Sequence, residues 1–281
     1  MRRNILEING LKVSTKTCKE ALLINGVDLS VKENTICSLV GKSGSGKSLL
    51  ASSIVGVLAD NLYIDGEILY KNNNLLLLSE KQLNKVRGKD IGIVMQNCSG
   101  SLNPLMKNGK QLSLVLRQHV SKHENIRKKA ETLLHLVKLE KPNLVMEQYP
   151  YQLSGGMKQR LLTAIGISGS PELLIMDEPT KGMDVILRNQ MAKMIYELHK
   201  ETNVSILLIT HDLELAYRIS DYCYVMNKGR VTTHGKTKKL FKTTRDKTLA
   251  DLINAETMMS DFFYGINGGI YAGIKKCYRS C

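Results

Sequence analysis

The sequence predicts an α/β fold in which helices wrap a parallel sheet, and three observations support this prediction. Short apolar, β-prone segments alternate with helical segments before residue 100 and again after residue 168, as in sheets built with crossover helices. One of these segments, 35–40, ends in a glycine-rich turn. Between about residues 105 and 168, apolar residues recur at helical spacing, which predicts a helical insert.

Local periodicity predicts the individual elements in order. Residues 5–13 and 27–31 alternate apolar and polar side chains, as half-buried strands do. Further short apolar or β-branched runs predict strands at 35–40, 67–70, 91–96, 173–176, 205–210 and 222–227. Helices are predicted at 47–57, 80–86, 185–201 and 213–219, and a hairpin turn at 228–229.

Length and composition exclude several classes of protein. The chain has 281 residues, of which 43% are hydrophobic and 23% are charged, so it can bury a core and disorder is not expected. Its apolar runs are far shorter than the roughly 18 residues that cross a bilayer, and a secretory signal is not expected at the N-terminus. The six cysteines lack Cys-x-x-Cys spacing, which argues against a zinc ribbon and fits a reducing compartment.

A complete phosphate-binding loop follows the strand predicted at 35–40. It consists of Gly41, Lys42, Ser43, Gly44, Ser45, Gly46, Lys47 and Ser48, with the spacing of that motif. Glycines let the backbone N–H groups turn towards phosphate oxygens, and the helix N-terminus adds a positive dipole end. Lys47 is expected to reach the β- and γ-phosphates, and Ser48 to hold Mg²⁺. The motif therefore predicts a nucleoside triphosphate as ligand.

Two adjacent carboxylates end the apolar strand predicted at 173–176. Asp177 and Glu178 would lie at the carboxyl edge of the sheet, where open α/β sheets bind ligands. Asp177 is expected to orient Mg²⁺ through its waters, and Glu178 to polarise a water for attack on the γ-phosphate.

A second anion site is predicted inside the helical insert. Ser154, Gly155 and Gly156 precede a helix and offer a hydroxyl, close backbone approach and a helix N-terminus. One chain with one phosphate loop has no evident internal use for two such sites. We therefore expect the second site to face a nucleotide that is bound to another protomer.

These motifs, in this order, resemble those of the ATP-binding subunits of ABC transporters over about residues 5–241. The resemblance implies a P-loop NTPase core with a parallel sheet, an antiparallel β subdomain and a helical subdomain at about 100–168. On this basis residues 1–241 form an ABC ATPase domain, and residues 242–281 a basic C-terminal tail.

The resemblance also implies ligands and roles for single residues. ATP and Mg²⁺ are the expected ligands, and Leu49 continues the phosphate loop. Gln96 is the expected switch-loop glutamine, which senses Mg²⁺ and the attacking water. His211 is the expected switch histidine at the γ-phosphate. Asp184 belongs to the loop that crosses to the partner subunit.

Several segments resemble the peptide and nickel importer branch of this family. They are Gln96-Asn97 with Ser-Leu-Asn-Pro at 101–104, and Tyr-Pro-Tyr-Gln-Leu-Ser-Gly-Gly-Met at 149–157. Residues 95–97 and 103–105 favour the nickel type, so uptake of nickel or a metal chelate is the expected function, with dipeptides or oligopeptides as the alternative cargo.

That branch implies the partners and the location. The expected partners are two transmembrane permease subunits, a second ATPase subunit that is identical or different, and, indirectly, a solute-binding protein. The expected location is peripheral, on the cytoplasmic face of the cell membrane. Residues 97–105 are expected to transmit motion to the permeases.

Two alternatives from other classes stay open. A nucleic-acid-associated ABC ATPase of repair or translation would suit the formal net charge of +14. It is disfavoured because the chain has no sustained heptads, no Cys-x-x-Cys and no second cassette, so no nucleic-acid partner is expected. A non-catalytic ATP-binding module is disfavoured because the residues for hydrolysis are present.

Two features of the composition bear on function: the lack of an early aromatic residue and the position of the excess positive charge. Residues 1–40 contain no aromatic residue, so adenine is expected to rest on aliphatic groups around residues 13–22, with weak ATP binding and poor discrimination against GTP. Residues 227–281 carry a net charge of +7. This segment is expected to face an anionic membrane surface or an acidic partner, or to be solvated, and deletion after about residue 245 is expected to spare ATP binding.

Overall fold

A computed structural model describes residues 2–17, 20–96, 98–119 and 125–264, and it confirms the predicted α/β class. The strands are β1 (Asn4–Thr15), β2 (Leu22–Lys32), β3 (Ile36–Val40), β4 (Leu62–Tyr70), β5 (Asn73–Asn74), β6 (Ile91–Val94), β7 (Leu173–Asp177), β8 (Ser205–Thr210), β9 (Tyr222–Asn227) and β10 (Arg230–Lys236). The helices are α1 (Lys47–Ile54), α2 (Glu80–Val86), α3 (Cys98–Ser101), α4 (Asn108–Leu116), α5 (Ile126–Leu136), α6 (Pro142–Glu147), α7 (Gly155–Gly166), α8 (Val185–Thr202), α9 (Leu213–Ile219), α10 (Thr237–Thr243) and α11 (Lys247–Tyr264).

The chain divides into two compact units, and the division falls inside β8. The terminal unit comprises residues 4–76 and 208–281, and the central unit comprises residues 77–207 with residues 1–3. The phosphate loop and His211 belong to the terminal unit. The two carboxylates at 177–178, the Ser-Gly-Gly segment, Gln96 and Asp184 belong to the central unit.

Antiparallel pairing builds one sheet of the terminal unit, in the order β2-β1-β4-β5. Ile8 of β1 lies opposite Leu29 of β2 on one side and Ile68 of β4 on the other. All three side chains are buried, because the alternating pattern directs every second residue to the same face. This sheet is the antiparallel β subdomain that the resemblance implies.

Strand β3 carries the phosphate loop out of the core of the terminal unit. It is buried at every position, pairs in parallel with β9, and places Val40 opposite Val225. A turn at residues 228–229 then returns the chain from β9 into β10, which is antiparallel to it. The phosphate loop therefore follows a strand whose side chains are buried on both faces of the sheet.

In the central unit, β6 and β7 pair in parallel, with Ile91 opposite Leu173 and Val94 opposite Met176. Helices α3 to α7 lie between these two strands in sequence, as the helical spacing predicts. Leu112, Ala130, Leu134 and Leu161 supply buried apolar residues from α4, α5 and α7.

The observed elements differ from the prediction mainly at their ends. Helices α2 and α9 and strands β8 and β9 have the predicted bounds, whereas β4 begins five residues early because residues 62–65 pair with residues 12–15 of β1. Strand β6 ends at Val94, so Gln96 lies two residues beyond the strand that it was predicted to end.

The segment predicted as a basic tail begins as ordered structure. Residues 247–264 form α11, in which Leu249, Leu252 and Ile253 are buried. Residues 265–281 lie outside the described part of the chain. Among the described residues, no helix is long and apolar enough to cross a membrane.

Candidate functional site

The phosphate loop ends at helix α1, where the backbone has an unusual conformation. Gly46, the N-cap of α1, has a φ of 103° and has no side chain with which to cap the helix, so the positive end of the helix is available to an anion. Gly44 has a φ of 78°. Residues with a side chain rarely adopt such angles, which explains the glycines at these positions.

The ammonium group of Lys47 lies inside the curve of the loop. Its side chain is buried, and Nζ donates to the carbonyl oxygens of Gly41 at 2.8 Å and Lys42 at 3.0 Å. A buried ammonium group that donates to neutral carbonyls at the first residues of the loop is well placed to pair with an anion. Ser48 and Leu49 follow it in the first turn of α1, with Ser48 exposed.

Strand β9 and the turn at residues 228–229 contact the phosphate loop and restrict its position. A Cβ on Gly41 would lie 2.2 Å from the carbonyl oxygen of Met226, so only glycine fits there. The N–H of Gly229 donates to the carbonyl oxygen of Ser45 at 3.0 Å. Lys42, Ser43 and Gly44 are exposed at the outer side of the loop.

These features fit a bound phosphate. The hydroxyl oxygen of Ser45 is buried and has no hydrogen-bond partner among the described residues, a deficit that a ligand oxygen would remove. Together with the Lys47 ammonium and the helix N-terminus, it forms a cradle of donors. The Ser48 hydroxyl and the Asp177 carboxylate are oxygen ligands of the kind that Mg²⁺ prefers.

The two carboxylates of the central unit follow the fully buried strand β7. Asp177 is 1% exposed and Glu178 is 8% exposed. Glu178 has a φ of 52°, a left-handed conformation that costs a residue with a side chain about 1–2 kcal/mol. Strain of this kind is concentrated at functional sites. The backbone at Glu178 therefore departs from the extended conformation of the preceding strand β7.

Ser154 occupies the N-cap position of α7, as its sequence context predicts. Its Oγ accepts from the N–H of Met157 at 3.3 Å, and its hydroxyl hydrogen can still be donated to a ligand. Ser154 and Gly155 are exposed and Gly156 is buried. A Cβ on Gly155 would meet nothing within 4 Å, so the start of this helix is open to another molecule.

Asp184 is held in place as the N-cap of α8. Its carboxylate accepts from the N–H of Leu187 at 2.8 Å, and the preceding Gly182 has a φ of 74°. The Arg188 Nε donates to the carbonyl oxygen of Met183 at 2.9 Å. Residues 181–183 therefore form a hydrogen-bonded turn immediately before Asp184.

Gln96 and His211 lie in short connections after buried strands. Gln96 is half-buried, and His211 is exposed. The residues beside His211 are fixed, because the N–H of Asp212 donates to Thr210 Oγ1 at 3.0 Å and Asp212 caps α9 through Leu215. Asn97, which begins the segment expected to face the permeases, lies outside the described residues.

Sequence reasoning missed the residues that support the loop from behind. Met226 and Gly229 appear in the sequence only as a strand residue and a turn glycine. Their role depends on the pairing of β3 with β9, which joins residues about 185 positions apart. Within the stretch at 13–22 that is expected to hold adenine, Val13 is fully buried and Leu22 is half-buried, and Leu23, one residue beyond it, is 44% exposed.

The comparisons with known proteins agree with this geometry. The family model described as "ABC transporter" matches residues 24–181. The oligopeptide transport ATP-binding protein OppD of Bacillus subtilis (strain 168) is 38% identical over 242 residues, covering 84% of this chain and 67% of that protein. The metal-staphylopine import system ATP-binding protein CntD of Staphylococcus aureus (strain Mu50) is 31% identical, covering 91% of this chain and 94% of that protein.

Solved structures with a similar fold come from the same kind of protein. The cbiO1 protein from Clostridium perfringens, part of the ABC transporter complex cbiONQ, is similar with a TM-score of 0.75 and 25% identity, covering 93% of this chain and 96% of that one. A dimeric post-hydrolysis state of the ATP-binding cassette MJ0796, bound to ADP and Pi, is similar with a TM-score of 0.72 and 25% identity, covering 83% of this chain and 98% of that one.

Proposed function

The chain belongs to the ABC transporter family, and from that premise we propose that it is the ATP-hydrolysing subunit of an importer in the cell membrane. The observation that carries the proposal is the phosphate cradle in the terminal unit. The buried Lys47 ammonium, the confined Gly41, and the Ser45 hydroxyl, which lacks a hydrogen-bond partner in the described part of the chain, together suit a nucleoside triphosphate.

In the proposed reaction, the phosphate loop binds the phosphates of ATP, and Glu178 activates the water that attacks the γ-phosphate. Lys47 releases the carbonyls of Gly41 and Lys42 and pairs with the β- and γ-phosphates. Glu178 accepts a proton from the attacking water, and His211 and Gln96 sense the γ-phosphate and the water. Mg²⁺, held by Ser48, Gln96 and Asp177, would neutralise charge on the phosphate oxygens.

We further propose that two ATPase subunits together complete each site. The exposed first turn of α7, with Ser154 and Gly155, would face the nucleotide that is bound to the partner subunit. Asp184 would lie in the loop between the subunits. Closure of the pair on ATP and reopening after hydrolysis would drive two permease subunits at the cytoplasmic face of the membrane, with a solute-binding protein as an indirect partner.

The relatives bear on the cargo. The oligopeptide and dipeptide transport relatives are 35–38% identical, and they favour a peptide importer. One observation favours a metal chelate, because the metal-staphylopine import protein is matched over 94% of its length. Nickel itself stays a prediction from residues 95–97 and 103–105. All of these relatives are transport proteins, which favours an importer over a nucleic-acid-associated ATPase.

The substitution Glu178→Gln tests the proposed activity. It keeps the shape of the side chain but removes the base, so we expect MgATP binding to persist and hydrolysis to fall by about 10²–10⁴-fold. The measurement is steady phosphate release by the complex with its permeases. Glu140→Gln, at an exposed residue, is the matched control and should leave the rate unchanged. Hydrolysis at the normal rate in Glu178→Gln would contradict the assigned base.

Uptake measurements separate the possible cargoes. Cells that contain the importer, and cells with the Glu178→Gln subunit, would be given labelled oligopeptide, free Ni²⁺ or Ni²⁺ with a chelator. Uptake that depends on Glu178 for one of these identifies the cargo. If none depends on Glu178, the importer proposal is wrong for all three.

A further inference from the structure

Helix α11 is packed into the core of the terminal unit beside the nucleotide-binding elements. Asp246 caps it, accepting from the N–H of Leu249 at 2.9 Å. Leu249 is fully buried, and Leu252 and Ile253 are nearly so. The sequence marks this region chiefly by its basic charge, so its role in the core is visible only in the structure.

The apolar face of α11 joins a cluster that borders two functional loops. Leu249, Leu252 and Ile253 share this cluster with Val40 and Leu213. Val40 immediately precedes Gly41, the first residue of the phosphate loop. Leu213 lies two residues after His211, in the first turn of α9. Helix α11 contacts α9 and β9, and it shares one apolar cluster with the end of β3.

A polar contact joins α11 to the turn behind the phosphate loop. Asn227 Nδ2 donates to Thr248 Oγ1 at 3.3 Å. Asn227 ends β9 and stands between the Met226 carbonyl, which limits Gly41, and Gly229, whose N–H binds the Ser45 carbonyl. The Gly229 carbonyl in turn accepts from the N–H of Asn25 at 2.8 Å, so the turn is held from both sides.

We propose that α11 is a positioning element for the nucleotide site, with Thr248 acting through Asn227 on the phosphate loop, and Leu249 and Leu252 acting through Val40 and Leu213. The inference rests on the proposed ATPase function and deepens it. Since coupling between two sites is reciprocal, MgATP in the loop must also stabilise the docked state of α11. Anything that displaces α11 must weaken MgATP binding by the same factor. Deletion after about residue 245 removes this helix, so the inference replaces the expectation that such a deletion spares ATP binding.

The substitution Thr248→Val tests the polar connection in the full-length chain. Valine keeps the shape of threonine but cannot accept from Asn227, and Thr248 is half-buried, so the chain should still fold. We expect the Kd for MgATP to rise by roughly 2- to 10-fold, the range for one hydrogen bond. Thr248→Ser, which keeps the hydroxyl, should restore binding.

Thr243→Val is the matched control. Thr243 is exposed, and its hydroxyl donates within its own helix, to the carbonyl oxygen of Lys239 at 3.0 Å. Its removal should leave the Kd for MgATP unchanged. Urea unfolding of all three variants separates a general loss of stability from a specific loss of MgATP affinity.

Amide hydrogen exchange of residues 248–255 provides a second measurement. Saturating MgATP should slow exchange there in the wild type and slow it less in Thr248→Val. Equal Kd values for Thr248→Val and wild type, with no effect of MgATP on exchange in α11, would overturn the inference. A wild-type chain that does not bind MgATP would instead contradict the proposed function, so the two failures can be told apart.

Discussion

The close approach of β9 to the phosphate loop makes Gly41→Ala the most informative test of the site geometry. The new methyl group would lie 2.2 Å from the Met226 carbonyl oxygen, where an ordinary contact is at least about 3.4 Å. The loop or the strand must therefore move by about 1 Å. Overpacking of this kind costs about 1–3 kcal/mol, and the displaced loop can no longer present its N–H groups together.

Two other glycines make the prediction quantitative. Gly44→Ala meets nothing within 4 Å but forces alanine to a φ of 78°, which costs about 1–2 kcal/mol. Because Gly44 is exposed, the loop relieves this strain by changing conformation, so stability is kept and MgATP affinity falls about 5- to 30-fold. Gly235→Ala, in β10, makes only an ordinary contact at 3.8 Å and serves as the control.

Urea unfolding and equilibrium MgATP binding are the two measurements. We expect Gly41→Ala to lose about 1–3 kcal/mol of unfolding free energy together with MgATP binding. Gly44→Ala should lose affinity alone, and Gly235→Ala should lose neither. If Gly41→Ala has wild-type stability and affinity, the strand does not confine the loop as described, and the reasoning is refuted.

Two further predictions concern pH and the base of the nucleotide. Burial raises the pKa of the Cys223 thiol to about 12, so the unfolded chain loses this proton at a lower pH than the folded chain. The buried thiol therefore contributes stability that is complete below about pH 9. This stability is lost as pH rises towards 12, with a slope of about 1.4 kcal/mol per pH unit. Urea unfolding between pH 8 and pH 10.5 should therefore show a shallower loss in Cys223→Ala than in wild type, and identical slopes would contradict it. The exposed aliphatic side chain of Leu23, with no aromatic residue before Tyr63, predicts similar Kd values for MgATP and MgGTP, so strong selectivity for ATP in competition binding would disprove the missing stacking platform.

Much of the candidate site was predictable because its motifs are local. The glycine spacing at 41–48 requires particular backbone angles, and the structure shows positive φ at Gly44 and Gly46. The apolar run at 173–176 predicts a buried strand that delivers Asp177 and Glu178 to one end. Ser154 and Asp184 precede helical sequences, and both prove to be N-caps, since short polar side chains satisfy the first N–H groups of a helix.

The charge of the C-terminal segment does not show that α11 is an amphipathic helix with one buried face. The excess of basic residues at 227–281 left a solvated tail at 242–281 as one reading, and Lys242 and Lys247 are exposed. Leu249, Leu252 and Ile253 of α11 are nevertheless buried, because a helix can place polar residues outward and apolar residues inward. The net charge of the segment therefore reflects its exposed residues and gives no indication of its buried ones.

The sequence by itself determined the fold class, the order of the elements and the residues of the phosphate loop, because backbone angles, caps and amphipathic periods depend on near neighbours. Only the tertiary structure decided that the Met226 carbonyl limits Gly41, that Val13 is buried and Leu23 exposed, and that α11 shares an apolar cluster with Val40 and Leu213. Each of these contacts joins parts of the chain that are distant in sequence, or depends on which face of an element meets the core. A local sequence pattern does not specify such contacts, because the free energy that stabilises them comes from burial and strand register in the folded chain.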